Sequence, residues 1–135
     1  MPHHLPDMLR AHPMQPSDME TIRRCIEACF DCAMACTNCA DACLAEEKVA
    51  ELRMCIRTNL DCADICEATG RVVARLTKPS KALMEAQLDA CMAACEACGA
   101  ECTRHAAMHA HCRVCAEACR ACAQACRALR EAMPH

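Results

Sequence analysis

The chain has 135 residues, the size of one domain, with a formal net charge of −3 and a single aromatic residue, Phe30. A mildly acidic chain without stacking platforms does not read as a nucleic-acid binder, and its longest uncharged stretch, Cys32 to Ala40, is far too short to span a membrane. Leu, Ile, Val and Phe together number 18, a composition that borders on disorder, yet cysteine also numbers 18 and alanine 28. Free cysteine buries like a small hydrophobe and alanine favours helix, so cysteine here stands in for the usual core.

Residues 1–16 hold Pro2, Pro6, Pro13 and Pro16 and predict an extended arm, with Leu5 to Ala11 able to form a short helix. The segment has no basic stretch leading into an apolar one, so it does not read as a secretory signal. A cytoplasmic location is the expectation. Thiols stay reduced there, and many of them point to metal or redox chemistry rather than disulfides. His3, His4 and His12 lie in this arm, apart from the cysteine pattern.

Ser17-Asp18-Met19-Glu20 has the form of a capping box and predicts a helix over 18–44. Its cysteines, Cys25, Cys29, Cys32, Cys36, Cys39 and Cys43, follow the alternating four-and-three spacing of a bundle seam. A second helix is predicted over 48–77, with Cys55, Asn59, Cys62 and Cys66 on its seam, then Thr69, Val73 and Leu76, stopping before Pro79. Ser80 caps a third over 81–107, whose seam is Met84, Leu88, Cys91, Cys95, Cys98 and Cys102, continued in register by His105 and His109. The fourth, over 111–132 and ending near Pro134, carries Cys112, Cys115, Cys119, Cys122, Cys126 and Leu129. No Gly or Pro marks the break around Met108 to His111.

Every cysteine falls on one of the four stripes. Four helices with short connections predict an all-α fold, an antiparallel up-down-up-down four-helix bundle over 17–135 with a cysteine-lined core. Alanines flank the seams of the first and fourth helices and let the helices approach closely. Phe30, Met34 and Val114 face outward in this register and are candidates for an oligomer interface.

Antiparallel threading gathers Cys43, Cys55, Cys102, His105, His109, His111 and Cys112 at one end, and Ile22, Val73, Leu76, Leu88 and Leu129 at the other. The histidine end is the expected mouth for a metal ion and the aliphatic end the expected seal. Asn59, where the second helix lacks a cysteine, either bonds a neighbour or lends its carbonyl oxygen to a metal.

Four chemistries compete for such a tube. Disulfides within one rigid helix meet the required dihedral poorly. Iron–sulfur clusters take cysteines in fours from wrapping loops, whereas these form a continuous column. Tetrathiolate zinc sites would each place a net charge of −2 in a dry channel. Cu(I) is soft, accepts two or three thiolates, and balances one thiolate charge per ion, so a bridged stack stays nearly neutral. Storage of multiple Cu(I) ions per chain is the reading these arguments select, with zinc or other soft-metal storage, and then an iron–sulfur protein, as alternatives. A chaperone would need one or two exposed sites. An enzyme would need a distinct activated pair, which a uniform array does not provide.

The runs "CIEACFDCAMACTNCADAC", "CMAACEACGAEC" and "CRVCAEACRACAQAC", with "HAAMHAH" at the mouth, resemble the bacterial copper storage protein family over residues 18–133. Without an export signal the chain is similar to the cytosolic branch. The resemblance implies a homotetramer of bundles that buffers cytosolic Cu(I), with no catalytic role. The departure from a fully cysteine-lined tube is the lower half of the second helix, Thr69, Val73 and Leu76, which offers no thiol.

Overall fold

A computed structural model describes residues 4–133, so His3 and Pro134 lie outside the described residues. Its order is α1 (Leu5–Ala11), α2 (Met19–Leu44), a 3₁₀ turn (Val49–Leu52), α3 (Arg53–Ala74), α4 (Lys81–His105) and α5 (Ala110–Ala132), with no strand among the described residues. The four long helices form a ring: α2 packs on α3 and α5, and α4 packs on α3 and α5, so each faces the fourth across the channel. Helix starts meet helix ends, with Cys25 beside Cys126 and Cys55 beside Cys102, which makes neighbours antiparallel.

The seam residues point inward as their spacing requires, because residues three and four apart share one face of an α-helix. All eighteen cysteines are buried, none more than 1% exposed. The outward faces carry ion pairs such as Arg57–Asp61 and Arg113–Glu117 at i,i+4 spacing. Across α4 and α5, Arg130 pairs with Glu85 (2.9 Å) and Asp89 (3.2 Å).

The structure differs from expectation in four places. Ser80 caps α4, its Oγ accepting the Leu83 N–H at 3.3 Å, but the predicted capping box at Ser17 does not form. Asp18 is the N-cap of α2 and makes no side-chain cap bond; Glu20 instead accepts hydrogen bonds from Arg23 and Arg24. The second predicted helix, over 48–77, opens as a 3₁₀ turn and ends early at Ala74, where Arg75 turns extended (ψ 95°). That departure lets Leu76 fold back into the apolar end, where it is 8% exposed.

The third difference is the end of α4 at His105 rather than 107. His109, expected in helical register, is the extended N-cap of α5 (φ −134°, ψ 115°). The fourth is Phe30, read as an outward exception. Its ring lies across α3, placed 3.0 Å from where a Cβ on Gly70 would stand, and packs against the core.

Residues of the arm add to the apolar end. The α1 residue Leu9 is 5% exposed within the same cluster as Ile22, Val73, Leu76 and Leu129. The Gln15 amide donates to the Leu9 (2.9 Å) and His12 (2.7 Å) carbonyls and thereby closes α1.

Candidate metal centre

The channel is a continuous column of free thiols. From the apolar end upward, Cys25 and Cys126 are 3.8 Å apart, Cys29 and Cys122 3.8 Å, Cys66 and Cys95 3.6 Å, Cys32 and Cys119 3.8 Å, Cys36 and Cys115 3.7 Å, and Cys55 and Cys102 3.6 Å, Sγ to Sγ. Thiolates bound at about 2.3 Å to one metal ion stand roughly 3.8 Å apart in a tetrahedron and roughly 4.0 Å apart in a trigonal plane. The channel sulfurs already have the spacing of a shared ligand set.

They also fall into overlapping fours. Cys29, Cys91, Cys122 and Cys126 form one; Cys32, Cys66, Cys95 and Cys122 the next; Cys32, Cys36, Cys62 and Cys119 a third; Cys36, Cys98, Cys115 and Cys119 a fourth. Cys122, Cys32, Cys36 and Cys119 each belong to two groups. Ions held here must therefore share thiolates along the column instead of sitting in separate cages.

Charge decides which ions suit such sharing. Asn59 and Thr69 are the only polar residues besides cysteine buried among the described residues, and no Lys, Arg or His supplies a positive charge inside the column. A buried anion without a partner is strongly penalised. Thiolate charge in this channel is balanced by the bound ions alone, which favours one positive charge per thiolate.

Asn59 sits at the centre of the upper thiols, fully buried. Its Oδ1 is approached by the Cys98 (3.0 Å), Cys115 (3.3 Å) and Cys102 (3.4 Å) thiols as donors, and its amide donates to Cys55 Sγ at 3.7 Å. The bond to a neighbour foreseen for Asn59 is thus made, to cysteines. Thr69, on the thiol-free part of α3, donates to the Ile65 carbonyl (2.7 Å) and accepts from Gln87 (2.8 Å), a structural role.

At the mouth the three histidines separate. His111 faces the thiols: its Nδ1 is 3.4 Å from Cys39 Sγ and 3.6 Å from Cys112 Sγ, and its Nε2 donates to Glu46 at 2.8 Å. With Cys39, Cys43 and Cys112 it completes a four-ligand group. His109 stacks on His111, rings 5.4 Å apart, and also reaches Glu46, at 3.0 Å. His105 turns to Glu101 at 2.9 Å. The sequence missed both carboxylates. Glu101 and His105 stand at helical i,i+4 spacing, a legible signal, whereas Glu46 reaches the histidines only through the turn after α2.

The Glu46 contact sets the electrostatics of the mouth. Its hydrogen bond from His111 holds the Glu46 carboxyl below its ordinary range. Burial alone would lower the His111 imidazole, but bonding to Cys39 and Glu46 outweighs it and the net shift is upward. Burial pushes the Cys43 and Cys112 thiols up. A carboxylate on one ring nitrogen and sulfurs on the other is the pairing that orients a metal-binding imidazole.

A rigid all-helical bundle whose core is a thiol ladder, closed by apolar side chains at one end and fringed by histidines at the other, defines a protein that sequesters soft metal ions. The chain belongs to the copper storage protein family, whose pattern it matches over residues 18–131. It is similar to a copper storage protein from Streptomyces lividans loaded with 10 copper equivalents, at 53% identity, covering 96% of this chain and 99% of that one with a TM-score of 0.92. A five-copper structure of a cytosolic copper storage protein from the same organism is 56% identical, covering 87% of this chain and 98% of that chain, TM-score 0.85. The apo form of copper storage protein 3 from Bacillus subtilis is 39% identical, covering 79% of this chain and 96% of that chain, TM-score 0.67.

Proposed function

We propose that this chain stores many Cu(I) ions as its cargo, in the cytosol, on the thiolates of its eighteen channel cysteines, and that it catalyses no reaction. The observation that carries this reading is the overlapping sulfur groups in a channel with no buried cation. Each Cu(I) ion that enters displaces about one thiol proton and neutralises the thiolate left behind, so the column fills without accumulating charge. The family relatives from Streptomyces lividans, solved with copper bound, support the choice of cargo.

Uptake begins at the group of His111, Cys39, Cys43 and Cys112. Glu46 holds the His111 ring so that Nδ1 faces these sulfurs, and His109 and His105 line the approach. Asn59 joins as an oxygen ligand once the ladder is loaded. Filling removes the thiol protons its Oδ1 accepts, and a buried oxygen then needs a new partner, which a copper ion supplies. The bundle works as a homotetramer in this reading, a state that rests on the family resemblance, and residues 4–16 of the arm serve the apolar end and not the channel.

Competition between metals tests the proposal. Protein offered Zn²⁺ and Cu(I) together is expected to retain copper and lose zinc as copper rises to saturation. Retention of zinc at a copper excess would remove the charge-balance argument and with it the reading.

A further inference from the structure

Two imidazoles at the mouth converge on one oxygen. Glu46 Oε2 lies 2.8 Å from His111 Nε2 and 3.0 Å from His109 Nδ1, with the two rings stacked. Main-chain hydrogen bonds fix the residues that carry them. The Glu46 N–H donates to the Cys43 carbonyl (3.2 Å), the His109 N–H donates to the His105 carbonyl (3.0 Å), and the His109 carbonyl accepts from the Cys112 N–H (3.1 Å). The side chains of Glu46, His109 and His111 are 33%, 17% and 21% exposed, so an ion reaches them from solvent. The nitrogen of His111 that meets Glu46 is not the one that faces Cys39 and Cys112.

We propose that Glu46, His109 and His111 form a Zn²⁺ site on the outer rim of the mouth, and that zinc bound there gates the entry of Cu(I). The inference rests on the storage reading above, in which His111 receives copper. Two imidazoles and a carboxylate, with water as the fourth ligand, are a donor set that Zn²⁺ takes, whereas Cu(I) prefers sulfur. Ligands about 2.0–2.1 Å from a tetrahedral Zn²⁺ stand roughly 3.3 Å apart, so the two contacts widen by about half an ångström or less on binding. The carboxylate cancels one of the ion's two charges and the part-exposed rim solvates the other. The dry thiol column offers neither without building up negative charge.

The gating follows from the imidazole itself. A neutral imidazole has one N–H and one lone pair. When His111 faces copper, its proton is on Nε2, donated to Glu46, and the Nδ1 lone pair points at the sulfurs. Zn²⁺ takes the lone pair at Nε2 instead, and the ring's proton moves to Nδ1, with none gained or lost. His111 then cannot ligate copper, and the group with Cys39, Cys43 and Cys112 loses its fourth member. Linkage makes the exclusion reciprocal: copper on Nδ1 weakens zinc on Nε2 by the same factor. Zinc thus sets how fast the store fills and not how much it holds, and a filled store gives the zinc up.

The test uses reduced, metal-free, full-length protein. One equivalent of Co²⁺, a coloured substitute for Zn²⁺, is expected to give visible d–d bands without the near-ultraviolet charge transfer of a thiolate ligand. Those bands should be lost in Glu46→Gln and in His109→Ala. Stopped-flow uptake of Cu(I) from a chelator is then compared with and without Zn²⁺ for each protein. Zinc should slow the parent several-fold without changing its final copper content. The slowing should vanish in Glu46→Gln and His109→Ala and persist in His105→Ala, which removes a mouth histidine outside the site. Thiolate charge transfer from the first equivalent of Co²⁺ overturns the proposal, as does parent uptake that ignores Zn²⁺. Slowing that persists in either Glu46→Gln or His109→Ala, or that is lost in His105→Ala, also overturns it. Copper capacity of the parent is measured first without other metals, so a failure of storage itself is seen separately.

Discussion

The side chain that ties packing to chemistry is Asn59, buried among the upper thiols. Three thiols converge on its carbonyl oxygen in a site without water-facing surface. Asn59→Ala is expected to lower apo stability by about 1–3 kcal/mol, the cost of leaving buried polar partners unmatched, measured by urea denaturation, while copper capacity falls by no more than an ion or so. A large loss of capacity would mean that Asn59 organises the whole ladder. At the mouth, the direction of the pKa shifts gives a pH signature. His111 is raised above its ordinary 6.5 and Glu46 lowered below its ordinary 4.5. Stabilisation from the pair is therefore complete between those values. It fades as pH rises through the raised His111 value, and fades again as pH falls through the depressed Glu46 value. The difference in apo melting temperature between the parent and Glu46→Gln should be largest between the ordinary values of 4.5 and 6.5 and shrink as the pH rises through the raised His111 value; a constant difference would contradict the pairing. The identity of Asn59 as a seam residue was legible because spacing alone places it. The division of labour among the histidines was not. His109 counts as in register only if α4 continues past 105, and the chain instead turns there, leaving His111 to meet the thiols.

At the scale of the helix, the two interior glycines make opposite predictions. Gly99→Ala puts its Cβ at an ordinary contact distance from Cys119, while Gly70→Ala presses a Cβ to 3.0 Å from the Phe30 ring. Alanine gains about 1 kcal/mol over glycine in a helix, so Gly99→Ala should be the more stable variant by roughly that amount in thermal denaturation, because displacement of the ring offsets the gain at Gly70. The reverse order would show that Phe30 moves freely. Ser80→Ala should lose about 1 kcal/mol through the α4 cap. The positions of the helices could be read from the cysteine stripes almost to the residue, since burial on one face enforces the 3.6-residue period. Their ends could not. The Ser17 to Glu20 motif is a capping box by residue type, but two arginines three and four residues on, Arg23 and Arg24, compete for Glu20 and draw it to the helix surface. Phe30 looked like an exposed residue because a helical wheel knows nothing of a glycine on the neighbouring helix. Gly70 gives its ring a place to lie.

For the molecule as a whole, the protonated thiols are neutral and pack as a core, so folding does not wait for metal. Far-UV circular dichroism of the apo protein should show a strongly helical chain that gains little helix on loading. A chain unfolded without copper would contradict a preformed channel, since metal binding would then supply the folding energy. A column of eighteen buried thiols makes a store of many ions and not a single site. Titration of Cu(I) into the reduced protein against a strong Cu(I) chelator tests it most directly. Tight uptake of many ions per chain is expected, comparable with the 10 equivalents in the Streptomyces relative. Saturation at one or two ions would contradict it.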